Sequence, residues 1–148
     1  MAYESLFNHV PVPALQIHVI ETSGGIEQSA IWYGDLIRRV TPFDLVLLGV
    51  GEDGHTASLF PGEAIDLDAW CVAVHGAPKP PTGRISLGLR ALRATEQVLV
   101  MASGFGKQNA IDNWRRGMST PIHDVTEGLS GLVLLDGIVM GSLPDDTG

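Results

Sequence analysis

Asp53 and His55 stand two residues apart in a glycine-rich run, Gly49-Val50-Gly51-Glu52-Asp53-Gly54-His55-Thr56-Ala57-Ser58-Leu59-Phe60-Pro61-Gly62. A carboxylate beside an imidazole can orient the ring and support it as a general base that takes a proton from water. Gly49, Gly51 and Gly54 permit tight turns and close approach of the backbone. Amides near Gly51 and Gly54 are candidates for steadying an oxyanion. The bland alternative for Asp53 is turn formation, since Asp-Gly is a common turn pair. Thr56 and Ser58 read as helix caps rather than nucleophiles. The three glycines also fit G-x-G-x-x-G, the dinucleotide fingerprint, but that motif needs a long helix opening at its third glycine. Pro61 and Gly62 leave room for roughly two helical turns at most. The fingerprint also has no use for an adjacent acid and imidazole.

Basic groups that could hold an anion lie elsewhere. Lys79 and Arg84 belong to Ala77-Pro78-Lys79-Pro80-Pro81-Thr82-Gly83-Arg84, where the prolines stiffen the loop and lower the cost of ordering it. Arginine suits bidentate phosphate contact, and lysine serves as a point charge. The alternative is a solvated basic loop. Lys107 follows Ser103-Gly104 at the start of an expected helix, where backbone amides favour anions; its alternative is a first-turn surface lysine. Gly106-Lys107-Gln108 lacks the surrounding residues of a P-loop. His75 reads as a loop residue, and His9, His18 and His123 fit no motif. With no H-x-x-x-H and one cysteine, metal-ligand spacing is absent. No metal or cofactor is expected.

These groups need elements to position them. Ala2 to Val10 reads as the end of a helix stopped by Pro11 and Pro13. Leu15 to Ile20 alternates like a short strand. Ile26, Ala30, Tyr33 and Ile37 form a helical stripe over residues 25–40, with Thr22 or Ser23 as its cap. Phe43 to Leu48 is a nearly continuous apolar run, as expected of a strand buried on both faces. Further strands are predicted at Trp70–Val74, Ile85–Leu87, Gln97–Ala102 and Gly131–Leu135. Helices are predicted at Leu89–Thr95 and Gly104–Arg116, with Ile111 and Trp114 on the apolar side of the second. Asp136-Gly137 signals a turn, and the tail after Gly141 reads as frayed. Alternating strands and helices predict an α/β fold with a mostly parallel sheet. Residues 1–148 read as one domain.

Composition narrows the function. The chain of 148 residues is 45% apolar and carries a net charge of −8, which argues against nucleic acid and anionic membrane as partners. No run approaches the ~20 apolar residues needed to span a bilayer, and no signal pattern opens the chain. Cys71, alone and inside a predicted strand, cannot form an intrachain disulfide; it reads as a small buried hydrophobe and fits a reducing cytosol.

The run Phe43 to Gly62 resembles the signature of the 6-phosphogluconolactonase family over about twenty consecutive positions. The related glucosamine-6-phosphate deaminases share the Asp-Gly-His core, and Thr56, Ser58, Leu59 and Phe60 favour the lactonase side. The Lys-Pro-Pro and Arg84-Ile85-Ser86 stretch also resembles the family, with Ser86 where threonine is usual, as does Ser103-Gly104-Phe105-Gly106-Lys107. The resemblance runs from about Ala2 to Asp136, with Pro121 to Asp124 an imperfect match. It implies the sugar-phosphate isomerase and lactonase fold, with His55 as general base, Asp53 as its support, and Gly51, Gly54, Lys79, Arg84 and Lys107 at the substrate. It also implies hydrolysis of a sugar-phosphate lactone, without cofactor, in the cytoplasm. A deaminase-like enzyme and a non-catalytic sugar-phosphate-binding fragment are the alternatives. Full members begin with a strand–helix unit carrying Gly-Gly beside Ser or Thr and a strand ending in Asp-Glu-Arg, neither found here. The expectation is a fold without its first portion, exposing apolar surface that invites self-association or a separate N-terminal segment.

Overall fold

The structure, a computed structural model, describes residues 2–136 and residue 139. Helix α1 spans Gly25–Val40, as its periodicity predicts, and buries Ala30 and Ile37. Its last turn carries Arg38 and Arg39, where cations suit the negative end of the helix dipole. Gly24, rather than Thr22 or Ser23, occupies the cap position, and no side chain caps the helix. Strand β1 is Phe43–Gly49, β2 Cys71–Val74, β3 Arg84–Leu87, β4 Thr95–Ala102 and β5 Gly131–Leu135. Helices α2 (Leu89–Arg93), α3 (Gln108–Arg115) and α4 (Pro121–Thr126) lie among and after these strands. The turn signalled at Asp136-Gly137 and the tail after Gly141 reach outside the described residues.

The α/β fold with a parallel sheet is as the sequence predicts. That sheet has the order β1-β4-β5, with Phe43 opposite Thr95 and Gly49 opposite Met101, then Val98 opposite Gly131. The strands β2 and β3 stand apart as a separate antiparallel pair. The loop joining them, residues 75–83, is too short for a parallel crossover, which takes a dozen residues or more. α1 packs against this pair.

Val46, Leu48, Val98, Val100 and Ala102 point to one side of the parallel sheet, into a core shared with Leu92, Ala110, Ile111, Ile122 and Val125. Burying a side chain such as Ile122 contributes about 1.5–3 kcal/mol. Helix α4, not foreseen from the sequence, supplies Ile122 and Val125, and Pro121 sits at its first position where its missing N–H costs nothing. The other side of the sheet is open. Leu45 is 49% exposed, Leu47 58%, Met101 47% and Leu132 60%. The apolar run of β1 is therefore buried on one face only, contrary to expectation: continuous hydrophobicity marks a strand built for two covered faces, while coverage depends on what packs there.

Three local expectations also change. The expected strand over residues 15–20 is instead a 3-10 turn, Ala14–Gln16, followed by irregular chain, where Tyr33 Oη donates to His18 O (2.8 Å). The opening helix is a short π-helical turn, Tyr3–Phe7. The helix expected over residues 104–116 divides into a 3-10 turn, Phe105–Lys107, and α3.

Candidate active site

β1 and β4 are parallel neighbours, so the loops leaving their C-terminal ends lie on the same side of the sheet, where open α/β sheets place ligands. The loop from β1 is wound tightly. The Gly51 N–H donates to His55 O (2.7 Å) and the Gly54 N–H to Gly51 O (3.1 Å). Both amides are thereby spent within the loop, which removes them as oxyanion donors. Gly54 has φ +87°, a left-handed conformation that favours glycine. Gly51 is required for a different reason: a Cβ there would lie 2.6 Å from His55 Cγ and closer still to Nδ1 and Cε1. The missing side chain of residue 51 is the seat of the imidazole. The sequence also suggests substrate contact for both glycines; neither is among the residues lining the cleft that gathers the other predicted groups.

Asp53 Oδ1 accepts two hydrogen bonds from His55, one from its backbone N–H (3.0 Å) and one at Nδ1 of its ring (2.6 Å). Burial alone would raise the Asp53 carboxyl, but the His55 backbone N–H, the ring hydrogen bond and the ring's charge outweigh it and hold the acid below its ordinary 3.8. An ionised acceptor assigns the hydrogen of a neutral ring to Nδ1 and leaves Nε2 with its lone pair, the form a base requires.

The segment after His55 is a tight turn bridging Thr56 and Leu59, with Ala57 at φ 51°. It is not a helix, so neither Thr56 nor Ser58 caps one. Thr56 is fully buried and donates from Oγ1 to Gly49 O (2.9 Å), closing the loop on the strand it leaves. The Ser58 N–H donates to Ser86 Oγ (3.1 Å), which in turn donates to Leu87 O (3.0 Å). A buried hydroxyl of β3 thus fastens the histidine loop to the hairpin. The Phe60 ring packs tilted against that of His55, centroids 4.8 Å apart and planes at 49°, and the Arg84 guanidinium lies 5.8 Å from the Phe60 centroid, within cation–π range.

A cleft of about 380 Å³ brings the predicted groups together. Asp53, His55, Lys79, Arg84 and Lys107 all line it. Glu52, Phe60 and Pro78 complete the lining, and none of the three was assigned to the site from the sequence. Position 60 carried a signal, an aromatic residue five places after the histidine; Glu52 gave none beyond its adjacency to Asp53. Arg84 is partly committed, with Nε donating to Pro81 O (2.9 Å) and Nη2 to Lys79 O (2.6 Å). It therefore shapes the Lys79 loop and keeps Nη1 for a ligand. Among the described residues, Lys79 and Lys107 form no ion pair, so their ammonium groups remain open to an anion. His75 pairs with Glu27 (3.1 Å) on the surface, outside this cleft. No group of three or more His, Cys, Asp or Glu able to hold a metal occurs among the described residues.

A second, larger cavity, about 580 Å³, lies between α1 and β1. Its walls are mainly apolar, including Leu36, Val40, Leu45 and Leu47, with His18 and Tyr33 among the few polar groups. Cys71 is half-buried; its thiol donates to Ser86 O (2.9 Å), and burial pushes it up to about 11. That suits the structural part expected of it. No helix among the described residues is long and apolar enough to cross a membrane.

Residues 1–133 match the family described as glucosamine-6-phosphate isomerases/6-phosphogluconolactonase. The 6-phosphogluconolactonase of Streptomyces coelicolor is 36% identical over 126 residues, covering 74% of this chain and 48% of the relative. The rat enzyme of the same name is also 36% identical, over 69% of this chain and 43% of the relative. The chain thus spans about half the length of the curated relatives it matches. The crystal structure of the Thermotoga maritima 6-phosphogluconolactonase superposes with a TM-score of 0.81 at 29% identity, over 90% of this chain and 62% of that one.

Proposed function

Since the chain belongs to the glucosamine-6-phosphate isomerase and 6-phosphogluconolactonase family, we propose that it carries the catalytic half-site for hydrolysis of 6-phospho-D-glucono-1,5-lactone to 6-phosphogluconate. The observation that carries this reading is the Asp53–His55 pair, joined at 2.6 Å, in one cleft with three cationic side chains. His55 Nε2 takes a proton from water, and the resulting hydroxide attacks the lactone carbonyl. Asp53 holds the ring in the required tautomer and stabilises the imidazolium that forms. Collapse of the adduct breaks the bond from C1 to the ring oxygen, which leaves with the proton held by His55. Lys79, Lys107 and the free Nη1 of Arg84 hold the 6-phosphate. Ester hydrolysis of this kind proceeds by acid–base chemistry alone, so neither metal nor covalent intermediate enters the scheme.

The open apolar face of the sheet bears on activity. In this reading it is covered during turnover, by a second copy or by a further segment, and that covering completes the cleft's outer wall. A cytosolic setting suits the lone thiol. The test is lactone hydrolysis by the purified chain beside His55→Ala, with glucosamine 6-phosphate as an alternative substrate. We expect the lactone to be the substrate turned over, and the variant to lose about 10²–10⁴-fold in rate. Equal rates for the two proteins would remove His55 from the mechanism, and deamination of the amino sugar would replace the reaction.

A further inference from the structure

Lys107 reaches the cleft from a short turn. The chain leaves β4 at Ala102, reverses at Gly104 (φ +93°, ψ 154°) and makes one 3-10 turn, Phe105–Lys107. The Lys107 N–H closes that turn by donating to Gly104 O (3.0 Å). The left-handed backbone favours glycine at 104. A Cβ there would meet nothing within 4 Å, so crowding at this hinge does not fix the direction in which the turn, and Lys107 with it, is carried.

Hydrogen bonds from the next strand do. β5 runs parallel to β4 with Leu135 opposite Ala102, so Asp136 leaves its strand beside Ser103. Asp136 Oδ2 accepts from Ser103 Oγ (2.6 Å) and from the Gly104 N–H (2.9 Å). The Asp136 N–H donates to Ala102 O (3.3 Å). Asp136 Oδ1 accepts from the N–H of Val139 (2.9 Å), a residue buried in the core. A carboxylate is an acceptor at both oxygens, which matches these donors, and its charge strengthens each bond. At its far end the same turn abuts the histidine loop, for a Cβ at Gly106 would lie 2.9 Å from Glu52 Oε1. Asp136 itself is not among the residues lining the cleft. We propose that Asp136 is a positioning residue for phosphate binding: through Ser103 and Gly104 it sets where the Lys107 ammonium stands. This inference rests on the lactone-hydrolysis reading of the cleft, which gives Lys107 to the phosphate.

The experiment is a double-mutant cycle. Calorimetry measures the Kd of 6-phosphogluconate for wild type, Asp136→Ala, Lys107→Ala and the double variant. Losing one hydrogen bond to a charged group weakens binding about tenfold, so each single variant should show a Kd about tenfold higher. Because the two residues act through one contact, Asp136→Ala in the Lys107→Ala background should change Kd by less than about twofold. A further loss of about tenfold in that background would mean that Asp136 acts by another route, and would overturn the proposal. Unchanged affinity in either single variant overturns it as well, as does failure of the wild-type chain to bind 6-phosphogluconate. If Asp136→Ala does not unfold cooperatively, the same cycle with Ser103→Ala at the exposed Ser103 decides, with about a fivefold loss expected alone and under about twofold beside Lys107→Ala. Ser103→Thr, which keeps the hydroxyl, should restore the binding that Ser103→Ala loses. A lactone-hydrolysis assay on the wild-type chain keeps the two readings apart. Hydrolysis with additive losses of affinity sinks only the role of Asp136, whereas coupled losses without hydrolysis sink only the proposed activity.

Discussion

Gly51→Ala tests the site most directly, because the structure says which atoms collide. The new methyl carbon would stand 2.6 Å from His55 Cγ, and closer to Nδ1 and Cε1, where ordinary contact is 3.4–4 Å. The ring must retreat by about 1 Å or more, and displacement of a reacting group on that scale can cost about a hundredfold in rate. Retreat also pulls Nδ1 from Asp53, whose 2.6 Å bond has no slack. Because residue 51 lies outside the sheet core, the strain falls mainly on the loop: about 1–3 kcal/mol, or a fall in Tm of about 2–12 °C. We expect lactone hydrolysis to drop at least about a hundredfold in a protein that still unfolds cooperatively. Nitrogen-15 NMR of the histidine ring should show the loss of the single Nδ1–H tautomer. A Gly51→Ala protein with wild-type turnover and an unchanged ring spectrum would refute both the seat assigned to residue 51 and the role of His55.

Asp53→Asn keeps an oxygen that can accept both bonds from His55 but removes the charge, so activity should fall about tenfold, the worth of charge assistance in one hydrogen bond; Asp53→Ala removes the acceptor and should fall about a hundredfold or more. If asparagine and alanine are equally active in a hydrolysis assay, Asp53 does not select the tautomer. The Asp53 carboxyl is held below 3.8 in the folded protein, so its contribution to stability is present above that value and is lost as the pH falls through the lowered one. Acid unfolding of Asp53→Asn should accordingly show a shallower loss of stability below about pH 4 than wild type. Cys71, pushed up from 9.0 to about 11, should react with iodoacetamide at pH 8 about a hundredfold more slowly than an unhindered thiol, and full-rate alkylation of the folded protein would contradict its placement.

The parts of this structure legible in the sequence are those set by local pattern. The stripe through Ile26, Ala30, Tyr33 and Ile37 gives α1 its bounds, and the apolar runs locate all five strands. The chemistry of the Asp53–His55 turn was also legible, because a two-residue spacing lets one carboxylate reach both the backbone and the ring of the histidine. What packs where was not. Leu45 and Leu47 read as buried since hydrophobicity records what a strand is built to touch, not what touches it. The antiparallel pairing of β2 and β3 was available from the shortness of residues 75–83, a signal the alternation of elements obscured. Pro121 to Thr126 carries too few residues for a periodicity, so α4 passed unseen. Gly51 was recognised as a place of close approach, but only the structure shows that the approaching group is the protein's own imidazole.

The hydrogen bond from Ser58 to Ser86 joins two parts of the site that are built differently. His55 and Lys107 hang from β1 and β4, whose parallel register ties Gly49 to Met101 and fixes one loop against the other. Lys79 and Arg84 arrive on the separate hairpin, linked to the histidine loop through a serine hydroxyl and the rim of Phe60. The cleft works like a vice with one jaw cast in the bench and the other held by the Ser58–Ser86 bond, by the Phe60 rim and by Val72 and Leu87 packed on the core. In the proposed reading, heat, denaturant or substitution that loosens this second jaw lets the hairpin cations drift while His55 stays aligned, so phosphate binding is expected to weaken before water activation does. Adaptation of such a site to a longer or shorter sugar phosphate has an obvious starting point, the adjustable jaw.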